Sequence, residues 1–268
     1  MLRDDFEGAA LDPALWFVPA GPGTFFGRTQ IRPPSEPLEV SNGLIRLRLD
    51  THNPTAQTPG DSFWGSEIVT QEIFARGTGL AFRARVRVVE PVPGGLVGSL
   101  FSFAFDPQAG VRDEIDFELL SNDIVADRGR VLTNVFDDAD FSIPGDTSFV
   151  SVPGLDLTAF NEFEIQWLPD RIQWRVNGSL VREEFDTLAD APMTVRLNFW
   201  APGASFAAAY DPDLQPASTP EGNEVFFYEV DFVEIRTVPA SVPVWRWSSV
   251  LIVAVVVGVT GWAVRRRR

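Results

Sequence analysis

Arg112–Asn122 reads R-D-E-I-D-F-E-L-L-S-N, and its reading decides the fold. Glu114, Asp116 and Glu118 alternate with Ile115, Phe117 and Leu119. In an extended strand successive side chains point to opposite faces, so the three carboxyls share one face and the apolar three grip a core. Like charges along one face repel, and sheets seldom carry three without a use. One use is glycosidic chemistry, where retention of configuration needs two carboxyls about 5–5.5 Å apart, one attacking and one protonated. Two glutamates four positions apart start with Cα atoms roughly 13 Å apart at ~3.3 Å per residue, and long side chains on a curved strand can close most of that gap. Asp116 between them opposes loss of the last proton, which keeps a general acid protonated near neutral pH. The competing reading is a solvated acidic face.

Outward from this stretch, the same period of two recurs. Ile45, Leu47 and Leu49 alternate with arginines, as do Phe82, Ala84, Val86 and Val88. Phe163, Ile165 and Trp167 alternate with Glu162, Glu164 and Gln166, and Ile172, Trp174 and Val176 run into the turn pair Asn177-Gly178. Further strands are expected at Val195–Trp200 and Val225–Arg236, with Trp167 and Trp174 in the core. Gly21–Pro37 reads as a loop over the sheet, and no segment before residue 240 keeps a helical period. Many short strands separated by Gly/Pro turns predict an all-β sandwich or barrel.

Composition narrows the chemistry. The 268 residues suffice for one full core and a tail. The absence of cysteine excludes disulfides, thiolate metal sites and a cysteine nucleophile. His52, the single histidine, sits in a Thr-His-Asn-Pro loop and reads as incidental, and no Ser-His-Asp triad can be built without it. Of the −15 total, five arginines lie beyond residue 243, leaving −20 over residues 1–243. So acidic a surface argues against nucleic acid as partner and suits a neutral polysaccharide.

The C-terminal end has a different character. Residues 238–243 form a short linker, Val244–Val264 is mostly apolar, and Arg265–Arg268 closes the chain. A span of about 20 apolar residues crosses a bilayer. Tryptophans 245, 247 and 262 suit its two interfaces, and the arginines favour the cytoplasmic side. The expectation is one C-terminal transmembrane helix with the β-domain, residues 1–237, membrane-anchored and extracytoplasmic. Export needs a signal that the opening residues do not display, which points to an N-terminus lying upstream of Met1.

At this point Asp113–Leu120 (D-E-I-D-F-E-L-L) resembles the unbulged D-E-I-D-x-E-F-L motif of glycoside hydrolase family 16, as in lichenases and xyloglucan transglycosylases. Gly65–Glu72, Gly79–Arg87, Gly94–Phe105, Leu132–Phe136, Phe160–Gly178, Arg196–Trp200 and Val230–Ile235 are similar to the family's strands, in order. Ser121 and Asn177 depart from the usual Gly and Asp, away from the acids. The resemblance implies a jelly roll of two curved antiparallel sheets with a cleft on the concave side. It implies Glu114 as nucleophile, Glu118 as acid/base and Asp116 as the residue assisting their protonation balance. Trp200, Asn134 and Glu67 match substrate-binding positions, and Phe25, Phe26, Phe63 and Trp64 fall in loops where sugar subsites are expected. No cofactor is implied for catalysis, but a structural calcium is, with Asp231, Gly43 and Glu7 at matching ligand positions. The activity implied is a retaining endo-β-glucanase on β-1,3 or mixed β-1,3-1,4 glucan. A transglycosylase of the same family and a non-catalytic glycan-binding protein are the alternatives.

Overall fold

A computed structural model describes residues 1–19, 25–137 and 144–238. The expected span at 244–264, its Arg tail and nearly all of the linker lie outside the described residues; among those described, no helix is long and apolar enough to cross a membrane.

In chain order the strands are β1 (Leu2–Asp4), β2 (Trp16–Phe17), β3 (Phe25–Phe26), β4 (Thr29–Ile31), β5 (Glu39–Ser41), β6 (Leu44–Asp50), β7 (Phe63–Thr70), β8 (Leu80–Val88) and β9 (Val97–Asp106). They continue with β10 (Val111–Leu120), β11 (Arg130–Asp137), β12 (Asp146–Ser151), β13 (Asn161–Leu168), β14 (Arg171–Val176), β15 (Ser179–Glu184), β16 (Thr194–Trp200) and β17 (Val225–Thr237). One α-helical turn, Ser121–Val125, follows β10, and a single 3-10 turn covers Pro220–Gly222.

The strands form two layers. The cleft sheet runs β2-β7-β16-β9-β10-β11-β12, all antiparallel. The backing sheet runs β15-β14-β13-β8-β17, and β17 then carries β6 and β1 on successive stretches of its other edge, with β5 beyond β6. Between the layers lie the apolar halves of the alternating strands. Ile115, Phe117 and Leu119 of β10 are buried there, with the Phe117 ring edge-on to Phe163 at 5.2 Å. Burying a side chain such as Phe117 contributes about 1.5–3 kcal/mol. Trp174 is core, as expected, and its Nε1–H donates to the backbone oxygen of Asp116 at 2.8 Å. The backing sheet thus holds the acidic strand by its backbone from beneath.

Two expectations change here. Gly21–Pro37 is not simply a loop, because β4 within it pairs in parallel with the start of β7. Phe63 and Trp64 are strand residues rather than loop subsites: both are buried, and Arg28 and Arg32 stack on their rings at 5.0 and 4.1 Å. The cause is that β7 passes from one layer to the other. Residues 63–65 pair with β4 and residues 66–69 with β16, and all eight residues of β7 are buried. At the crossing sits Gly65, where an added Cβ would lie 2.5 Å from Thr29 Cγ2 and 2.6 Å from Phe199 O.

Candidate active site

Register across the cleft sheet sets its exposed face row by row. One row runs Glu67, Asn198, Ser99, Glu118, Leu132 and Phe149 across β7, β16, β9, β10, β11 and β12. The next holds Arg196, Phe101, Asp116, Asn134 and Thr147, and the third Thr194, Phe103, Glu114 and Phe136. The three acids therefore stand mid-sheet in adjacent rows. All three line one cleft of about 360 Å³, together with Trp200, Asn134, Asn198, Arg112 and Phe26 among others. Ligand clefts commonly fall at about 300–1,000 Å³.

The electrostatics follow from those neighbours. Glu114 lies between Phe103 and Phe136 in the ladder, and burial raises its pKa to about 7. The Arg112 charge, a hydrogen bond with Asp116 and the Arg196 charge act in the opposite direction. Burial and then the Glu114 charge raise Glu118 to about 8. Asp116 is 5% exposed, and burial followed by the charges of both glutamates holds it protonated well above the ordinary carboxylate range. Desolvation disfavours the charged form of each acid, and the remaining charges disfavour one another. The cluster titrates as a unit in which the last proton to leave is tightly held.

The expected substrate residues separate. Trp200 lines the cleft and stands in an aromatic group with Phe26 and Phe206, at ring separations of 6.3 and 6.2 Å. Asn134 also lines it. Its Oδ1 accepts a hydrogen bond from Thr147 Oγ1 at 2.8 Å, which leaves its amide N–H groups to donate. Glu67 does not line it. That carboxyl is fully buried in β7, ion-paired with Arg196 at 3.2 Å, and burial raises its pKa to about 7. Its link to the cleft runs through Arg196.

Arg112, Arg196, Asn198 and Ser99 were not singled out from the sequence. Arg112 stacks on Phe136 at 3.8 Å and Arg196 on Phe103 at 4.9 Å, so each ring flanking Glu114 carries a guanidinium. The only signal in the sequence is that Arg112 and Arg196 keep the parity of the cleft face in their strands.

The proposed calcium ligands fit poorly. Gly43 and Glu7 are adjacent, since a Cβ on Gly43 would lie 3.3 Å from Glu7 Oε1. Asp231, however, is ion-paired to Arg85. That pair engages one carboxylate oxygen, Oδ2, so a cation at Asp231 would compete with the guanidinium for this carboxylate.

Comparison with known proteins bears on this arrangement. The family model for glycosyl hydrolases family 16 matches residues 34–217, which include every cleft-sheet strand except β2. The chain belongs to family 16. Endo-1,3-1,4-beta-glycanase ExoK of Rhizobium meliloti (strain 1021) is 27% identical over 200 residues, covering 74% of this chain and 66% of the relative. A beta-glucanase of Brevibacillus brevis is 25% identical over 183 residues, covering 66% of this chain and 64% of the relative. The chain thus spans slightly under two-thirds of each of these relatives. Among solved structures, a prokaryotic beta-1,3-1,4-glucanase (lichenase) derived from a mouse hindgut metagenome superposes with a TM-score of 0.69 at 21% identity, covering 88% of this chain and 99% of that one. That likeness establishes the shared jelly-roll fold of this family 16 member.

Proposed function

We propose that this family 16 chain is a retaining endo-glycosidase that hydrolyses a β-1,3 or mixed β-1,3-1,4 glucan. The observation that carries the reading is the placement of Glu114, Asp116 and Glu118 together on the floor of one cleft, with an aromatic wall at Trp200. One of the relatives is named a beta-glucanase and another an endo-1,3-1,4-beta-glycanase, which supports that glycan class.

Glu118, holding its proton near neutral pH, gives it to the glycosidic oxygen as the C–O bond breaks. Glu114 attacks the anomeric carbon from the opposite face and forms a glycosyl ester. Glu118, now ionised, takes a proton from water, whose oxygen displaces Glu114 and releases the sugar with its configuration retained. Asp116, protonated and bonded to Glu114, steadies the nucleophile's charge in the first step and its return in the second. Trp200 offers a ring face to a sugar, and the Asn134 amide a donor to a hydroxyl.

The test compares wild type with Glu114→Gln on barley β-glucan and laminarin. The variant is expected to lose at least about 10³-fold in kcat, in line with loss of a nucleophile. Equal hydrolysis by both proteins would overturn the assignment.

We further propose that residues 244–264 anchor the domain to a membrane from outside the cytoplasm, on the strength of their apolar run and closing arginines. Fractionation of cells expressing the full chain or a chain ending at 238 should place only the former with membranes; equal partitioning would reject the anchor.

A further inference from the structure

Glu114 is surrounded by charge whose arrangement the two-carboxylate mechanism does not require. Along its own strand stand Arg112, Asp116 and Glu118. Its partners on β9 and β11 are Phe103 and Phe136, and the cleft faces of those strands carry no titratable side chain at Ser99, Phe101, Phe103, Leu132, Asn134 or Phe136. From β16 comes Arg196, and from β7 Glu67. Together these described residues bring four carboxyls and two guanidiniums to the site.

Arg196 is fixed from three sides. Its Nε donates to Thr194 Oγ1 at 3.0 Å, one terminal nitrogen lies 3.2 Å from Glu67 Oε1, and the guanidinium lies 4.9 Å from the centre of the Phe103 ring. Phe103 is the cross-strand partner of Glu114, so the fixed cation reaches the strand next to that of the nucleophile, and its charge favours ionised Glu114. Glu67 is fully buried, and its Oε2 has no hydrogen-bond partner among the described residues. A buried carboxyl with one oxygen unpaired is costly unless its charge is matched. The match is Arg196, which in turn is kept from swinging out toward solvent.

We infer that the Glu67–Arg196 pair is a positioning device that sets the pH at which Glu114 becomes a nucleophile. Arg196 favours the ionised nucleophile; Glu67 both holds Arg196 in place and withdraws part of its charge. Arg196 and Arg112 both favour the ionised form of Glu114, while burial keeps the proton on Glu118. That is the state the first catalytic step needs. The inference rests on the assignment of Glu114 as nucleophile.

The two members of the pair must therefore act in opposite directions on the acid limb of the kcat/KM profile. Arg196→Gln should move that limb to higher pH by about one unit, the scale on which a nearby opposite charge acts. Glu67→Gln should move it to lower pH, by about half a unit. Arg196→Lys should stay near wild type, and the double Gln variant should fall between the single ones. A purely structural pair would lower activity in both variants with the limb unmoved, and that result would overturn the inference. So would shifts of the same sign. If Arg196→Gln does not fold, Glu67→Gln decides alone: a limb that stays or rises rejects the device. Activity retained in Glu114→Gln would instead strike the nucleophile assignment, whatever the limbs do.

Discussion

At the scale of single residues, the site works by withholding solvation from carboxyls and then rationing the opposite charge. Glu114 at about 7 and Glu118 at about 8 bracket a narrow window in which one is ionised and the other is not. Activity on β-glucan is therefore expected to follow a bell centred between those values, and a flat profile from pH 5 to 9 would contradict it. The same shifts carry a cost in stability. A carboxyl whose pKa is higher folded than unfolded binds more protons in the native state, so stability falls as pH rises from the unfolded value, near 4.5, through the folded one. Glu118→Gln should thus melt at a higher temperature than wild type at pH 8.5 and at the same temperature at pH 4. A difference that is independent of pH would show that packing, not ionisation, dominates. The triplet itself was readable because alternation alone puts its members on one face. Arg112 and Arg196 were not, since arginine alternating with apolar residues reads as a solvated strand face. The register of β9 against β16 puts Arg196 in the row of Asp116, and its guanidinium then leans onto Phe103, the cross-strand partner of Glu114.

At the scale of elements, strands that bury one face were legible by alternation, whereas the strand that buries both was legible only from Gly65 onward and only through the family resemblance. Residues 163–167 and 172–176 alternate cleanly and became β13 and β14. Phe63–Thr70 has no polar side facing water, so the reading placed its first residues in a loop and the Glu67 carboxyl in the cleft. Layer-switching is the reason, and Gly65 is its mark. Gly65→Ala would drive a methyl group into Thr29 and the Phe199 carbonyl. It should cost about 1–3 kcal/mol, the range for overpacking a tight core. In a domain of this size that amounts to a fall of several degrees in Tm, at about 2–4 °C per kcal/mol. Gly203→Ala, with open space around its Cβ position, is the control and should melt with wild type. Equal melting of all three proteins would show that the crossing tolerates a side chain.

At the scale of the whole molecule, the jelly roll explains why a surface carrying so much negative charge can host a nucleophilic carboxylate. Many of its arginines are spent in pairs: Arg83 with Glu162 and Glu234, Arg46 and Arg87 with the buried Glu229, and Arg128 and Arg130 with the buried Asp123. Pairs between exposed side chains add little stability each, but Glu229 and Asp123 are buried, and the guanidiniums over them match charges that would otherwise stand uncompensated. The layered architecture was visible in advance because turn residues separate its strands; the order of those strands was not, because the long-range pairings leave no local trace.

That order has a consequence for how the polypeptide is made. Among the described residues the longest strand, β17, is also the last to leave the ribosome, yet it is the spine of the backing layer, touching β8 on one flank and both β6 and the N-terminal β1 on the other. Until it emerges, β1 has no strand to pair with and β6 and β8 each lack one neighbour, so the nascent domain must wait with part of its greasy interior uncovered for those 13 residues to arrive.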